Sequence, residues 1–154
     1  SLQVPPSLAE GALACRPPRA DELPLLVAWR CAYRVEVLGD ARGAPLDASS
    51  AEEMERYQQL GRHFVLEAQG RPVAYAAYNA ATPECVQMGG VFTPPALRGR
   101  GYGRAVVAGA LLAARGRGVA RSVLFTPIDN AAAQAAYRAL GYRRVGDYAL
   151  LLFA

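Results

Sequence analysis

Residues 98–103 read Arg-Gly-Arg-Gly-Tyr-Gly, and this short run constrains the fold more than any other part of the chain. It follows an apolar stretch typical of a strand, Cys85 to Phe92, and precedes an alanine-rich run typical of a helix that starts near Arg104. Alternate glycines let successive backbone N–H groups converge on an anion, and the dipole of the next helix adds to that attraction. The run therefore predicts a phosphate-binding turn.

Three other glycine-rich turns can be tested against the same letters. A dinucleotide fingerprint needs G-x-G-x-x-G, but the sixth position is Arg104 when counted from Gly99 and Val106 when counted from Gly101. A P-loop needs a lysine, which this chain lacks, and the catalytic motifs that accompany a kinase glycine loop are absent. A surface turn that only caps a helix stays open as the alternative.

The pattern R-x-x-G-x-G that begins at Arg98 resembles the acetyl-CoA pyrophosphate loop of the GNAT superfamily of N-acetyltransferases. Residues 130–142 resemble a later helix of the same superfamily, because they open with an asparagine, carry Tyr137 two turns on and end in a Gly-aromatic pair. The order and spacing of the two segments also match. The resemblance covers roughly residues 84–145, and it implies the GNAT fold.

Composition indicates one domain, since 154 residues with 53% hydrophobic letters suffice for a single core. We expect residues 1–11 to form a flexible tail and residues 12–154 a single GNAT-like acetyltransferase domain. Cys15, Cys31 and Cys85 have no C-x-x-C spacing, so neither a disulfide framework nor a structural zinc site is expected. Without a membrane-span-length apolar run or a signal-peptide h-region, the sequence predicts a soluble, cytoplasmic protein.

All 17 basic residues are arginine, and the net charge is +4. The absence of lysine excludes a Schiff base to pyridoxal phosphate, and the single histidine, His63, excludes a two-histidine metal centre. The arginines are spread along the chain, which is typical of a solvated surface. No metal and no nucleic-acid partner are expected, although an arginine-rich nucleic-acid binder, recognisable by a steep salt dependence, is a third class of function.

Periodicity and turn signals predict ten elements in the order β-α-α-β-β-β-α-β-α-β. This is the GNAT order, so the resemblance implies an α/β (α+β), GNAT-like fold with a mixed, mostly antiparallel sheet of six to seven strands and about four helices. The predicted elements are a strand at Leu13–Arg16, helices at Asp21–Leu38 and Ser50–Leu60, strands at His63–Ala68, Pro72–Tyr78 and Cys85–Phe92, a helix from Arg104 to Gly116, a strand at Val119–Phe125, a helix from Asn130, and one or two strands within Tyr142–Phe153.

The resemblance implies that backbone groups before and within the loop bind the pantetheine arm and pyrophosphate of acetyl-CoA. Arginine side chains near the turn add charge-assisted contacts to phosphate. Asn130 is a cofactor contact, a helix N-cap, or both. The expected cofactor-binding residues are Val91, Phe92, Thr93, Arg98, Gly99, Arg100, Gly101, Tyr102, Gly103, Arg104, Asn130 and Tyr137.

By the same resemblance, Tyr137 is a catalytic residue that protonates the departing CoA thiolate, although it also fits an apolar helical stripe. Gly89-Gly90 favours a β-bulge where a backbone N–H polarises the acetyl carbonyl, or merely loosens an edge. Many relatives carry a glutamate base eleven residues before the loop arginine, where this chain has Gln87, which is no base. Glu84 is the first catalytic candidate in its place, with Glu36 or a water chain as alternatives.

The implied activity is direct transfer of the acetyl group of acetyl-CoA, as co-substrate, to a primary amine of a small molecule or peptide in a ternary complex. A non-catalytic CoA- or acyl-CoA-binding regulatory module is the alternative, because Gln87 occupies the base position. Asp40, Asp47, Glu52 and Glu53 lie in the region of the first two helices and their connecting loop, and these acidic residues suit a cationic amine. No membrane partner is expected, and the resemblance leaves a homodimer open.

Overall fold

The computed structural model describes residues 1–147. It contains five helices, α1 to α5, and five strands, β1 to β5, within that range. In chain order these are α1 Pro6–Ala9, β1 Ala14–Arg16, α2 Leu23–Tyr33, α3 Ala44–Leu60, β2 His63–Ala68, β3 Arg71–Ala81, β4 Cys85–Phe92, α4 Tyr102–Gly116, β5 Arg121–Leu124 and α5 Ala131–Ala139.

The strands form one sheet in the order β1-β2-β3-β4-β5. The first four are antiparallel neighbours, and β5 joins β4 in parallel after the crossover through α4. This mixed, mostly antiparallel sheet confirms the predicted fold class, with five strands in the described residues where six to seven were expected. The predicted strand at Tyr142–Phe153 lies partly outside those residues, and its described part, 142–147, is not in a strand.

The double glycine of β4 forms the predicted irregularity. Ala77 pairs with Gly89 but Tyr75 pairs with Phe92, so β4 has one residue more than β3 in this stretch. Gly90 accommodates the distortion at a φ of 60°, a left-handed conformation that favours glycine. The bulge reverses the side of the sheet that the side chains of β4 face. Met88, before the bulge, belongs to the core under α4, whereas Phe92, after it, lies against Trp29 on the other side of the sheet.

The two faces of the sheet carry separate cores. On one face, α4 packs its buried residues 105–108 and Ala110 against Phe64, Tyr78 and Met88. On the other, Leu26 of α2 and residues of α3 pack against Val65, Tyr75 and Ala77. The sheet is thus covered on both sides, and its bulged strand lies between the two layers.

Two helix boundaries differ from the predictions for local reasons. Ser50-x-x-Glu53 predicts a capping box at the start of the second helix. However, α3 already begins at Ala44, with Pro45 in its first turn. Ser50 therefore lies within the helix and not at its N-cap, and its side chain is buried. The first predicted helix is α-helical only to Tyr33 and continues as a π-helical turn over Arg34–Leu38. Such turns within helices are frequent at functional sites.

Residues 1–11, expected to be a tail, include the short helix α1. The Gln3 N–H donates to the Leu140 carbonyl, and Leu2 and Leu8 pack against the α4 core. The flexibility of this segment stays a prediction. No helix among residues 1–147 is long and apolar enough to cross a membrane.

A glycine inside α4 offers a test of this packing. A Cβ on Gly109 would overlap the Cys15 side chain of β1, whereas a Cβ on Gly116 of the same helix would meet nothing within 4 Å. We expect Gly109→Ala to lower the free energy of unfolding by about 1–3 kcal/mol through overpacking. Gly116→Ala is the matched control and should be neutral or stabilising by up to about 1 kcal/mol in thermal or urea unfolding. Equal stability of the two variants would contradict the packing.

Candidate functional site

A cavity of about 600 Å³ lies where β4, the following loop and α4 meet β5 and α5. Most residues expected to bind the cofactor line it, together with Tyr33, Glu36 and Val37 from the other side of the sheet. The predicted cofactor-binding residues found in its lining are Val91, Phe92, Thr93, Arg98, Gly99, Gly101, Tyr102, Gly103, Arg104, Asn130 and Tyr137.

The glycine turn presents its backbone to this cavity. Gly99 and Gly101 both have φ values of 77°, and Gly101 is the N-cap of α4. The first intrahelical bond runs from the Ala105 N–H to the Gly101 carbonyl, so the N–H groups of Tyr102, Gly103 and Arg104 have no partner within the helix. Free N–H groups and the helix dipole make this end of α4 suited to an anion.

The arginines of the turn differ in their surroundings. The Nε of Arg104 is buried and has no hydrogen-bond partner among the described residues, which fits a side chain that awaits an anionic ligand. Arg98 instead donates through Nε to the Thr93 carbonyl at 3.0 Å and through both Nη atoms to Glu36 at 2.7 and 2.8 Å. Arg100 is exposed and does not line the cavity.

The Arg98–Glu36 pair joins the turn to the π-helical segment across 62 residues of sequence. Hydrogen bonding from the guanidinium lowers the pKa of the Glu36 carboxyl. The side chains are 44% and 48% exposed, so water screens the pair. Glu36 therefore lines the cavity as a paired carboxylate, which makes it a weak proton acceptor.

The two parallel strands stop pairing at the cavity. Their register ends with Met88 opposite Leu124, and beyond this point residues of both chains line the cavity. The backbone of β4 from Gly89 onwards consequently has an edge available for an extended ligand, while its other edge still pairs with β3.

Two residues of the 130–142 segment lie at the opposite wall. Asn130 caps α5, since its Oδ1 accepts from the Ala133 N–H at 3.0 Å, and it also lines the cavity. The ring of Tyr137 packs edge-on against Tyr142 with centroids 6.1 Å apart. Burial raises the pKa of the Tyr137 hydroxyl to about 12, so this group stays protonated at physiological pH.

The first base candidate is not brought to this cavity. Glu84 is exposed in the turn before β4, six residues and about 20 Å of extended strand from Gly90. Gln87 lies within β4, paired with Ala80 and Val123. His63 is buried beside Gln58 and Tyr75, and burial lowers its pKa to about 4. Glu84 does not line the cavity, and its catalytic role stays a prediction.

Several lining residues had no sequence signal, among them Tyr33, Val37 and Pro127. Tyr33 and Val37 come from the end of α2 and its π-helical continuation, and Pro127 comes from the loop after β5. Burial raises the pKa of Tyr33, whose ring lies 5.0 Å from the Arg30 guanidinium. Val37 belongs to the π-helical turn Arg34–Leu38, and residue patterns do not encode that turn. Among the described residues, no group of three His, Cys, Asp or Glu could hold a metal ion.

A model of the acetyltransferase (GNAT) family matches residues 27–142. The match spans well over half of the chain and includes β4, the glycine turn, α4 and α5. The chain therefore belongs to the GNAT family of acetyltransferases, and the resemblance of the glycine turn and the later helix is confirmed. No curated protein sequence is significantly similar to it.

Solved structures share the fold over nearly the whole chain. The aminoglycoside N-acetyltransferase AAC(6')-Iy in complex with CoA has a TM-score of 0.72 at 16% identity, over 92% of this chain and 94% of the other. A predicted acetyltransferase from Clostridium acetobutylicum with acetyl-CoA has a TM-score of 0.70 at 15% identity, over 91% and 96%. The ribosomal-protein-alanine N-acetyltransferase from Brucella melitensis has a TM-score of 0.71 at 24% identity, over 86% of each chain.

Proposed function

We propose that the protein is an N-acetyltransferase that uses acetyl-CoA as co-substrate and transfers the acetyl group directly to a primary amine in a ternary complex. The observation that carries the proposal is the cavity itself, which joins the anion-binding turn, the bulged strand and Tyr137. The similar structures that contain CoA or acetyl-CoA support the same co-substrate. Cytoplasmic location and oligomeric state stay predictions.

The turn fits the pyrophosphate of acetyl-CoA. Its free N–H groups at the start of α4 would hold the phosphate oxygens, and Arg104 would supply charge, since its buried Nε has no partner among the described residues. The free edge of β4 at Val91–Thr93 would hydrogen-bond the extended pantetheine arm as an added strand would. These contacts bring the thioester to the bulge at Gly89-Gly90.

At the bulge, a backbone N–H would donate to the thioester carbonyl and stabilise the negative charge that develops on its oxygen. The amine nitrogen attacks the carbonyl carbon, the C–S bond breaks, and the amine proton passes to water. Tyr137 would donate a hydrogen bond to the departing sulfur, which ends as a thiol once a proton has reached it.

One observation favours a second candidate, a CoA- or acyl-CoA-binding module without catalysis. Gln87 stands where the resemblance places the glutamate base of many relatives, and the one carboxylate among the described lining residues, Glu36, is paired with Arg98. Turnover separates the two functions. The enzyme should release free CoA, detected by a thiol reagent, with some member of a panel of amino acids, polyamines, aminoglycosides and peptides. Tight acetyl-CoA binding without release would establish the module instead.

Among the described residues that line the cavity there is no unpaired carboxylate, and this predicts an unusual pH profile. His63 titrates at about 4, Glu36 has a lowered pKa, and Tyr137 titrates at about 12, so none of them changes charge between about pH 6 and about pH 9. We expect kcat/KM to rise about tenfold per pH unit and to level off only at the pKa of the acceptor amine. Two acceptors of different pKa should level off at different pH values. A plateau at the same pH for both would instead indicate a base on the protein.

A further inference from the structure

A polar network covers the bulge of β4 on the α2 and α3 side of the sheet. The carboxylate of Glu53 in α3 accepts from Nε and Nη2 of Arg30 in α2 at 2.7 and 2.9 Å. The Tyr57 hydroxyl donates to Oδ1 of Asn79 in β3 at 3.3 Å. We name these four residues, Arg30, Glu53, Tyr57 and Asn79, the bulge network.

The bulge network touches both glycines of the bulge. A Cβ on Gly89 would overlap the Asn79 carboxamide, and a Cβ on Gly90 would lie 3.4 Å from Nη1 of Arg30. The two glycines point to the same side because the bulge puts consecutive residues there. Because Gly89 and Gly90 have no side chains, the nitrogens of Asn79 and Arg30 lie close to the backbone of the bulge. The proposed position of the acetyl group is at this same backbone.

The groups that remain free in this network are donors. Nη1 of Arg30 and Nδ2 of Asn79 have no hydrogen-bond partner among the described residues, whereas both oxygens of Glu53 and Oδ1 of Asn79 already accept hydrogen bonds. Asn79 is exposed, and 14% of the Arg30 side chain is exposed. Neither residue lines the cavity, so a ligand would reach them from the α2 and α3 side of the sheet. Two N–H donors, one of them on a guanidinium, match a carboxylate, which accepts hydrogen bonds only.

An ammonium group would gain little at the same place. Glu53 is engaged by Arg30, and Asp40, which belongs to the acidic region expected to attract a cation, is paired with Arg34 at 2.6 Å. Two of the four acidic side chains that the sequence offers for a cationic acceptor, Asp40 and Glu53, are thus paired with arginines. The recognition available at the bulge is for negative charge.

We infer that the acceptor is a small amine that also carries a carboxylate, of amino-acid type, and that Arg30 Nη1 and Asn79 Nδ2 bind this carboxylate beside the bulge. The inference rests on the proposed acetyl transfer and adds its substrate class. Arg30 and Asn79 then act as specificity-determining residues. The carboxylate contact would hold the neighbouring amine near the thioester.

The test uses acceptors that differ only in the carboxylate: phenylalanine against phenethylamine, and ornithine against putrescine. Since hydrogen bonds to a charged group are at stake, the wild-type protein should prefer the carboxylate-bearing member by about 10- to 100-fold in kcat/KM. Phenylalanine amide has a neutral carbonyl in place of the carboxylate, and a dipeptide has an amide carbonyl next to the amine and its carboxylate one residue further away. The two compounds therefore distinguish recognition of the carboxylate from recognition of a neutral carbonyl. Equal rates within each pair, or a preference for the amide or the dipeptide, would overturn the inference while leaving acetyl transfer intact.

Variants assign the preference to these residues. Asn79→Asp keeps the oxygen that Tyr57 contacts but replaces the free donor by a second oxygen, so it should lose the preference and retain activity on phenethylamine. The double variant Arg30→Gln/Glu53→Gln removes the guanidinium without leaving an unpaired charge. It should also lose the preference for the carboxylate-bearing acceptor and retain activity on phenethylamine. Arg117→Gln, on an exposed arginine beyond the far end of α4, is the matched control. An equal loss on both members of a pair would show a merely structural role and refute the assignment.

Binding provides a readout that does not need turnover. Calorimetry with the CoA-loaded protein should detect phenylalanine but not phenethylamine, and the difference should vanish in Asn79→Asp. If no amine is acetylated but this carboxylate-dependent heat persists, the proposed enzyme fails and the carboxylate site stands. If amines are acetylated and the heat is absent, the carboxylate site fails alone.

Discussion

Gly101→Glu should abolish acetyl-CoA binding, with an affinity loss of about 100-fold or more. Gly101 is the N-cap of α4 and lines the cavity, and nothing lies within 4 Å of the position its Cβ would take. A glutamate side chain there would enter the proposed pyrophosphate site and place a carboxylate beside two phosphate groups. Juxtaposed like charges cost several kcal/mol, and each 1.4 kcal/mol is a factor of ten in affinity.

The matched control for this variant is Gly118→Glu. Gly118 follows the other end of α4, has a φ of 86°, and also has open space around its Cβ position. Both substitutions therefore carry the same conformational strain, but only the first adds charge to the cavity. Isothermal calorimetry with acetyl-CoA should show normal affinity for Gly118→Glu. Equal affinities of the two folded variants would exclude the turn as the phosphate site.

The features that local sequence predicts are those that depend on a few adjacent residues. The glycine turn, the N-cap at Asn130 and the bulge at Gly89-Gly90 are each determined by backbone conformations that specific residue types permit, and the structure contains all three. The same dependence on a few adjacent residues explains why the start of α3 was predicted wrongly. Ser50-x-x-Glu53 has the letters of a capping box, but the helix extends six residues further towards the N-terminus, where Pro45 starts it.

The features that sequence patterns missed depend on contacts between distant residues. Arg98 meets Glu36 across 62 positions, and the Asn79 carboxamide lies over Gly89 because β3 and β4 are paired with an irregular register. A polar residue that follows Tyr75 and Ala77 on the same face of a strand is a signal that could have singled out Asn79. The position of Glu84 has the same origin: Glu84 is close to the bulge in sequence, but most of the extended strand β4 separates them in space.

Tyr137→Phe should lower kcat by about 10- to 100-fold and leave the dissociation constant of acetyl-CoA nearly unchanged. Phenylalanine keeps the ring that packs against Tyr142, so the cavity wall should retain its shape. What is lost is a hydroxyl that lines the cavity and whose pKa of about 12 keeps it protonated throughout the working range. Since a thiol titrates near 8.5, full proton transfer from this hydroxyl to the thiolate is uphill, and we expect it to act mainly by hydrogen bonding to the sulfur.

Hydrogen bonding to the departing sulfur predicts a distinctive pattern of kinetic constants for Tyr137→Phe. An interaction made only in the transition state lowers kcat and kcat/KM together, whereas a packing defect would also weaken binding of acetyl-CoA. Tyr142→Phe is the matched control, because Tyr142 has the same ring contact but its hydroxyl is hydrogen-bonded to Ser122 at 2.5 Å and it does not line the cavity. Steady-state kinetics should show near-normal kcat for Tyr142→Phe. Unchanged turnover in Tyr137→Phe would reduce Tyr137 to a packing residue and require another donor to the leaving sulfur.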